Sequence, residues 1–323
     1  MPNTPKKTLK FFLPLLLLLV LLLPIDTLSV PFISQETEIA MGKGADVQIS
    51  QQYGIYQDKE LQLYVNNIGQ KLVSQLSDKV FPRYYFRIVD SSQINAFALP
   101  GGYVYVTLGL LAMINNEAEL AGVLGHEIGH IIFHHSAKQM VRSIGSQILA
   151  LGGAIASPQN AGQWLAVSTA MFQQINMGYG REAEIESDEH GILNSMEAGY
   201  SPYGMAGFLK SLRRKEIMSG QSYHAFQATH PDTRDRIVKA GLMAGRMSNE
   251  TDERTYRNRY LNQIRGLKFE GQIHGGDRKR REPKYIDIYE VQQGDTFQSI
   301  AVKELGDRRK DLDISVMNGR KES

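Results

Sequence analysis

Four of the chain's eight histidines lie within ten residues, in His126-Glu-Ile-Gly-His130 followed by His134 and His135. The stretch around them is apolar, with Leu120, Val123, Leu124, Ile128, Ile131 and Ile132 at positions that bury a helix on most of its faces. Burying imidazoles and a carboxylate there is costly unless something compensates them. On a helix, positions i and i+4 share one face, so His126 and His130 can present ring nitrogens to one metal ion. Glu127 sits beside the first of them and can reach a metal-bound water without ligating the metal, as a general base must. Gly129 is read as keeping the space between the two ligands open.

A bare H-E-x-x-H matches many unrelated chains, so the rest of the site has to be found elsewhere. A catalytic zinc wants three protein ligands and an open fourth position. The best third candidate is Glu184 in Arg181-Glu-Ala-Glu-Ile-Glu-Ser-Asp188, where Glu184 and Asp188 are again i and i+4. Asp188 is assigned to accept a hydrogen bond from a ligand histidine. On spacing alone Glu182 or Glu186 competes with Glu184.

The 323 residues allow one large domain and a small second one. Composition is that of a globular chain, and a net charge of +2 argues against nucleic acid as a partner. The absence of cysteine excludes disulfides, thiol catalysis and a lipid-carrying N-terminal cysteine. Lys6, Lys7 and Lys10 precede a charge-free, leucine-rich run from Phe11 to Pro24. This is the pattern of a secretory signal over 1–30, and Asp26 arrives early for a spanning helix. Thr27-Leu28-Ser29-Val30 is a poor cleavage site, so an uncleaved membrane anchor is the alternative. Either form places the bulk of the chain outside the cytoplasm; the resemblance given below implies the periplasm or the periplasmic side of a membrane.

Residues 31–60 read as mixed and polar, and 59–76 as an amphipathic helix. Phe81 to Val89 reads as a strand, and the Pro-Gly-Gly before Tyr103-Val-Tyr-Val106 as the turn of a hairpin. Helix is expected over 107–141, with start chemistry at Asn115, Asn116 and Glu117, then over Trp164–Ile175 and Glu182–Ala198. Ile144–Ala156 is apolar but too short to span a bilayer. Arg278-Lys-Arg-Arg281, beside Gly275, Gly276 and Pro283, suggests a solvated basic linker over 266–284.

Asn95-Ala-Phe-Ala-Leu-Pro-Gly-Gly102, His126-Glu-Ile-Gly-His130, Arg181-Glu-Ala-Glu-Ile-Glu-Ser-Asp188 and Thr229-His-Pro231 with Arg236 occur in one order and spacing. In these motifs the chain resembles the HtpX-like and CAAX-prenyl-endopeptidase-like zinc metallopeptidases of peptidase family M48, particularly their periplasmic BepA/LoiP-type members, over roughly residues 34–240. The resemblance implies an α+β, mainly helical gluzincin-type protease domain over 31–265 with a small β-sheet edge. It implies one Zn2+ per chain, with Glu184 as third ligand, Asp188 as the partner carboxylate and Glu127 as catalytic base. His230 matches a histidine that in relatives occupies the fourth zinc position at rest or steadies the oxyanion. Arg236 would anchor that segment through an acidic residue. Asn95, Ala96, Phe97, Gly101 and Gly102 fall on the family's substrate-binding edge, where an extended peptide adds as a strand.

Gly180, Ser187 and His134 depart from what relatives commonly carry, and none removes a ligand. His134 and His135 are read as lying on the helix surface or behind the ligands. The tail from 285, with Tyr289-Glu-Val-Gln-Gln-Gly-Asp-Thr296, Ile300, Ala301 and Asn318, resembles a partial LysM glycan-binding unit of strand, helix and helix. The expected function is zinc-dependent endopeptidase action on unfolded or misassembled envelope proteins. Two other readings are a cell-wall-binding adaptor held to peptidoglycan through the tail, and a chaperone-like scaffold. Membrane contact fits either N-terminal reading.

Overall fold

The structure, a computed structural model, describes residues 34–139, 178–219, 225–231, 233–248, 254–268 and 285–318. They belong to a unit that begins at Ser34. The leucine run, the Ile144–Ala156 and Trp164–Ile175 segments and the Arg278–Arg281 cluster lie outside the described residues.

Two helices come first among the described residues, α1 (Gln35–Tyr53) and α2 (Lys59–Ser74). Asp58 starts α2 by accepting from the backbone N–H of Glu60 and Leu61, and the stripe Leu61, Val65, Ile68 and Leu72 enters the core. α1 falls where the sequence reads as mixed and polar. Its buried positions are Glu38, Met41, Gly42, Ala45 and Ile49, a helical stripe made largely of residues that carry little hydropathy.

A three-stranded sheet follows: β1 (Tyr85–Val89), β2 (Ala96–Leu99) and β3 (Tyr103–Thr107), in the order β1-β3-β2. β1 runs parallel to β3, and β2 pairs antiparallel with it through the expected hairpin. The turn needs both glycines. Gly101 has φ 80° and Gly102 φ 90°, and a Cβ on Gly102 would lie 2.4 Å from the carbonyl oxygen of Arg83. β1 begins at Tyr85 rather than Phe81, because Phe81 turns inward against Tyr84 instead of pairing.

Helix then dominates: α3 (Leu108–Met113), α4 (Glu117–Ile132), α5 (Arg181–Glu197), α6 (Gly204–Ser219), α7 (Ala225–Thr229), α8 (Thr233–Met247) and α9 (Arg257–Ile264). The expected helix over 107–141 is broken twice. Ile114 is extended, and Asn116 restarts the chain by accepting from the Glu119 N–H at 2.9 Å. After Ile132 a turn through Phe133 and His134 separates α4 from a short helical stretch over 135–139. The mainly helical α+β architecture is therefore as expected.

In the tail, α10 (Phe297–Leu305) opens with a capping box between Thr296 and Ser299, and a 3-10 turn (Arg308–Lys310) leads into α11 (Asp311–Met317). The strand expected near 289–293 is not among the described elements. The first residues of the expected linker are folded in: Leu267 is buried, and Gly266 and Leu267 exchange backbone hydrogen bonds with Ile286. Among the described residues no helix is long and apolar enough to cross a membrane.

Candidate metal centre

The site is built where α4 and α5 cross, and the crossing is close because it is lined by small residues. A Cβ on Gly191 would lie 2.6 Å from the backbone nitrogen of His126, and one on Gly125 would lie 3.0 Å from Gly191 Cα. Gly129 faces Ser187 of α5 in the same way. Its smallness admits the neighbouring helix, which differs from the sequence reading that it spaces the two histidines. With the backbones this near, Glu184 and Asp188 on one face of α5 meet His126 and His130 on one face of α4.

Four buried donor atoms converge. Nε2 of His126 is 3.0 Å from Nε2 of His130, 3.2 Å from Nδ1 of His230 and 3.6 Å from Oε2 of Glu184. Glu184 Oε1 is 3.4 Å from His130 Nε2 and 3.0 Å from His230 Nδ1. All four residues have no exposed surface. A tetrahedron with arms of about 2.0–2.1 Å has edges of about 3.3 Å, so these donor atoms are spaced on the scale a zinc-sized ion requires. The protonation pattern points the same way. His126 Nδ1 lies 2.8 Å from Asp188 Oδ1, and a proton donated there leaves Nε2 bare, facing another imidazole nitrogen. A cation between those lone pairs removes their repulsion.

Glu127 stands next to this cluster with no exposed surface and no hydrogen-bond partner on either carboxylate oxygen among the described residues. His230 Nε2 lies 3.5 Å from its Oε1. Burial pushes the Glu127 carboxyl above its ordinary range, outweighing the pull of His230 and His126. Burial would raise Glu184 as well, but the nearby His230 and Arg236, with hydrogen bonds from His130 and His230, hold it well below the carboxylate range. Burial drives His130 well below the usual imidazole value, with the Glu184 hydrogen bond opposing it. His230 is raised, because Glu184 and Glu127 overcome its burial.

Arg236 is the counter-charge. Its guanidinium grips Asp188 with two hydrogen bonds of 2.7 and 2.8 Å, reaches Glu184 Oε2 at 2.6 Å and donates to the carbonyl of His230 at 3.3 Å. The segment carrying His230 is also tied by Phe226 N–H to the Ile94 carbonyl, and by the Thr229 hydroxyl to Asn95 Oδ1 at 3.2 Å.

Of the competing acids on α5, Glu182 is exposed and Glu186 lies on His135; Glu184 is the one whose carboxylate enters the cluster. His134 turns away to Glu38 at 2.7 Å. The edge residues are embedded in the fold: Asn95 is engaged by Thr229, Ala96 O lies 3.4 Å from His230 Nε2, and Phe97 stacks on Tyr105. Gly101 and Gly102 form the turn packed against α1 and β1. Tyr179 was not singled out in the sequence. Its ring stacks on His130 with centroids 3.9 Å apart, and its hydroxyl bonds Ser136, which donates to the carbonyl of Ala98 in β2. No spacing rule marks it, because it precedes α5 and meets α4 only through the fold.

Two histidines on one buried helix, a carboxylate from the helix across it and a partnerless acid beside them define a metallopeptidase-type centre. The chain belongs to peptidase family M48, whose sequence profile matches residues 59–242. It is 32% identical over 238 residues to the beta-barrel assembly-enhancing protease of Yersinia pestis, covering 70% of this chain and 48% of that protein. It is 30% identical over 159 residues to mitochondrial metalloendopeptidase OMA1 of Arabidopsis thaliana, covering 48% of this chain and 31% of that one. Metalloprotease YcaL of Escherichia coli K12 is 31% identical over 162 residues, 47% of this chain and 62% of YcaL. The chain thus spans about half the length of the beta-barrel assembly-enhancing protease it matches.

Proposed function

We propose that this chain is a zinc-dependent endopeptidase of the cell envelope that cleaves unfolded or misassembled envelope proteins. The observation that carries the reading is the buried cluster of four donor residues beside a Glu127 carboxylate without a hydrogen-bond partner among the described residues. His126, His130 and Glu184 hold one Zn2+, a nitrogen-and-carboxylate set suited to that ion. Bound there, zinc would supply Lewis acidity and lower the pKa of a water towards about 7.

The chain's own residues do the rest. Glu127 takes the proton of the attacking water and passes it to the leaving amine, a task that suits a carboxyl raised by burial. Asp188 fixes the ring of His126, and Arg236 holds Asp188 and Glu184 in place. His230, at the fourth corner, faces both Glu127 and Glu184 and is placed to steady charge on the scissile carbonyl oxygen. β2 is the outer strand of the sheet, and an extended peptide would align along it once the contacts of His230 and Ser136 to the Ala96 and Ala98 carbonyls give way.

The envelope assignment is supported by the leucine-rich leader and by the name of the Yersinia pestis relative. The tail's LysM-like pattern extends the proposal to contact with peptidoglycan. Loss of peptidoglycan pull-down on removing residues 285–323 from the full chain would bear that out, and unchanged pull-down would discard it.

Glu127→Gln tests the core of the proposal. Casein cleavage should fall by at least about 10²-fold while zinc content is kept. Wild-type cleavage by that variant contradicts the assignment. Chaperone-like holding of an unfolded outer-membrane protein by the same variant would show a second activity independent of hydrolysis.

A further inference from the structure

His126 and His130 aim the same atom, Nε2, into the cluster, yet their far nitrogens are held differently. His126 Nδ1 meets the Asp188 carboxylate directly at 2.8 Å. His130 Nδ1 meets another imidazole nitrogen, Nδ1 of His135, at 2.9 Å. Two neutral imidazoles share a hydrogen bond only when one donates and the other accepts. To present Nε2 bare to a cation, His130 must carry its proton on Nδ1, which makes His135 Nδ1 the acceptor. The proton of His135 then sits on Nε2, 3.0 Å from Glu186 Oε2, which accepts it. One direction of donation, His130 to His135 to Glu186, satisfies every nitrogen outside the cluster. The reverse direction would leave His135 Nε2 without a proton against the Glu186 carboxylate, acceptor facing acceptor, and would occupy His130 Nε2, the atom a metal ion needs bare.

The backbone is shaped for this contact. On an unbroken helix the fifth residue after His130 would point about 140° away from it. Here α4 ends at Ile132, His134 adopts φ 54°, and the chain resumes as helix over 135–139. The left-handed turn swings His135 back, to a ring-centroid distance of 5.0 Å from His130. A non-glycine residue at positive φ needs support from its surroundings, and the buried carboxylate of Glu38 supplies it through His134 Nδ1 at 2.7 Å. Ser187 Oγ, 3.4 Å from His135 Nδ1, borders the same nitrogen from α5.

We infer that His135 and Glu186 are positioning residues for the metal centre: together they lock His130 in the tautomer and orientation that turn Nε2 inward, the task Asp188 alone performs for His126. The inference rests on the proposed reading of His130 as a ligand. It also makes the two arms unequal. The His126 arm ends in a buried ion pair with Arg236, whereas the His130 arm ends on Glu186, whose side chain is 51% exposed.

The test is zinc affinity of the purified full chain, read by competition with a chromogenic chelator, together with the long-range proton–nitrogen NMR spectrum of its histidines. His135→Ala should weaken zinc binding about 10- to 100-fold. His135→Asn, whose amide oxygen can accept where Nδ1 did, should recover most of that loss, and the spectrum should show His130 protonated on Nδ1 in wild type. Glu186→Leu, a change at a half-exposed side chain that leaves the core packing alone, should weaken binding several-fold and keeps the idea testable if His135→Ala does not fold. Wild-type affinity in both His135→Ala and Glu186→Leu overturns the inference, as does His135→Asn binding as poorly as His135→Ala. Absence of zinc binding in wild type, or full binding in His130→Ala, instead overturns the reading of the metal centre itself.

Discussion

The α4–α5 crossing and the 285–318 tail are both helical, and they are built on opposite plans. Every residue from Glu117 to Ile131 is buried, and the charges beneath the crossing have dedicated partners: Asp188 with Arg236, His126 with Asp188. In the tail only Ile300, Ala301 and Ser315 are buried among the described residues. Ion pairs within it, such as Arg309 with Asp307 and Lys310 with Asp313, join near neighbours in sequence at the surface, where water and salt screen them. The comparison teaches where this chain is intolerant. Glycines and matched charges set the distance between two helices at the crossing, while capping and local pairing suffice in the tail.

Breaking the crossing electrostatically should have the largest effect. Arg236→Met leaves the buried Asp188 carboxylate without its counter-charge and should cost about 3–5 kcal/mol in urea unfolding. A loss under about 1 kcal/mol would mean that the pair, which ties α8 to α5 beneath the crossing, contributes little to holding the site together. The pH dependence has a definite sign. Burial raises Asp188, but Arg236 and its hydrogen bonds more than offset this and hold it below its ordinary value of 3.8. Its stabilising contribution is thus complete above that value and lost as pH falls through the lower folded one. In Arg236→Met acid unfolding should start at a higher pH.

A steric break comes next. Gly191→Ala sets a methyl 2.6 Å from the His126 backbone nitrogen and should cost about 1–3 kcal/mol, measured the same way. A neutral result would show that the helices can separate freely. Leu305→Ser sharpens the other side of the comparison. Leu305 is 56% exposed, so stability should stay within about 0.5 kcal/mol of wild type. A drop beyond about 1 kcal/mol would show that the tail's apolar face is covered.

Periodicity made much of this legible. The i, i+4 pairs His126–His130 and Glu184–Asp188 are visible as strings, and Asn116 and the Pro-Gly-Gly turn mark real boundaries. What stayed hidden depends on contacts distant in sequence. α1 buries Met41, Ala45 and Ile49, a thin stripe interrupted by the buried Glu38 and Gly42 and easily lost among polar neighbours. His135 is five residues from His130, a spacing that becomes a contact only because His134 takes a left-handed turn. Tyr179 reaches His130 from across the crossing, and Gly191 gains its meaning once α4 is known to lie against it.

The most direct test of the central claim is the zinc content of the purified full chain, paired with casein cleavage, for wild type and Glu184→Ala. The account predicts one zinc per chain in wild type, with metal and activity lost together in the variant. Full zinc retention in Glu184→Ala would contradict it and leave the ion to His126, His130 and His230.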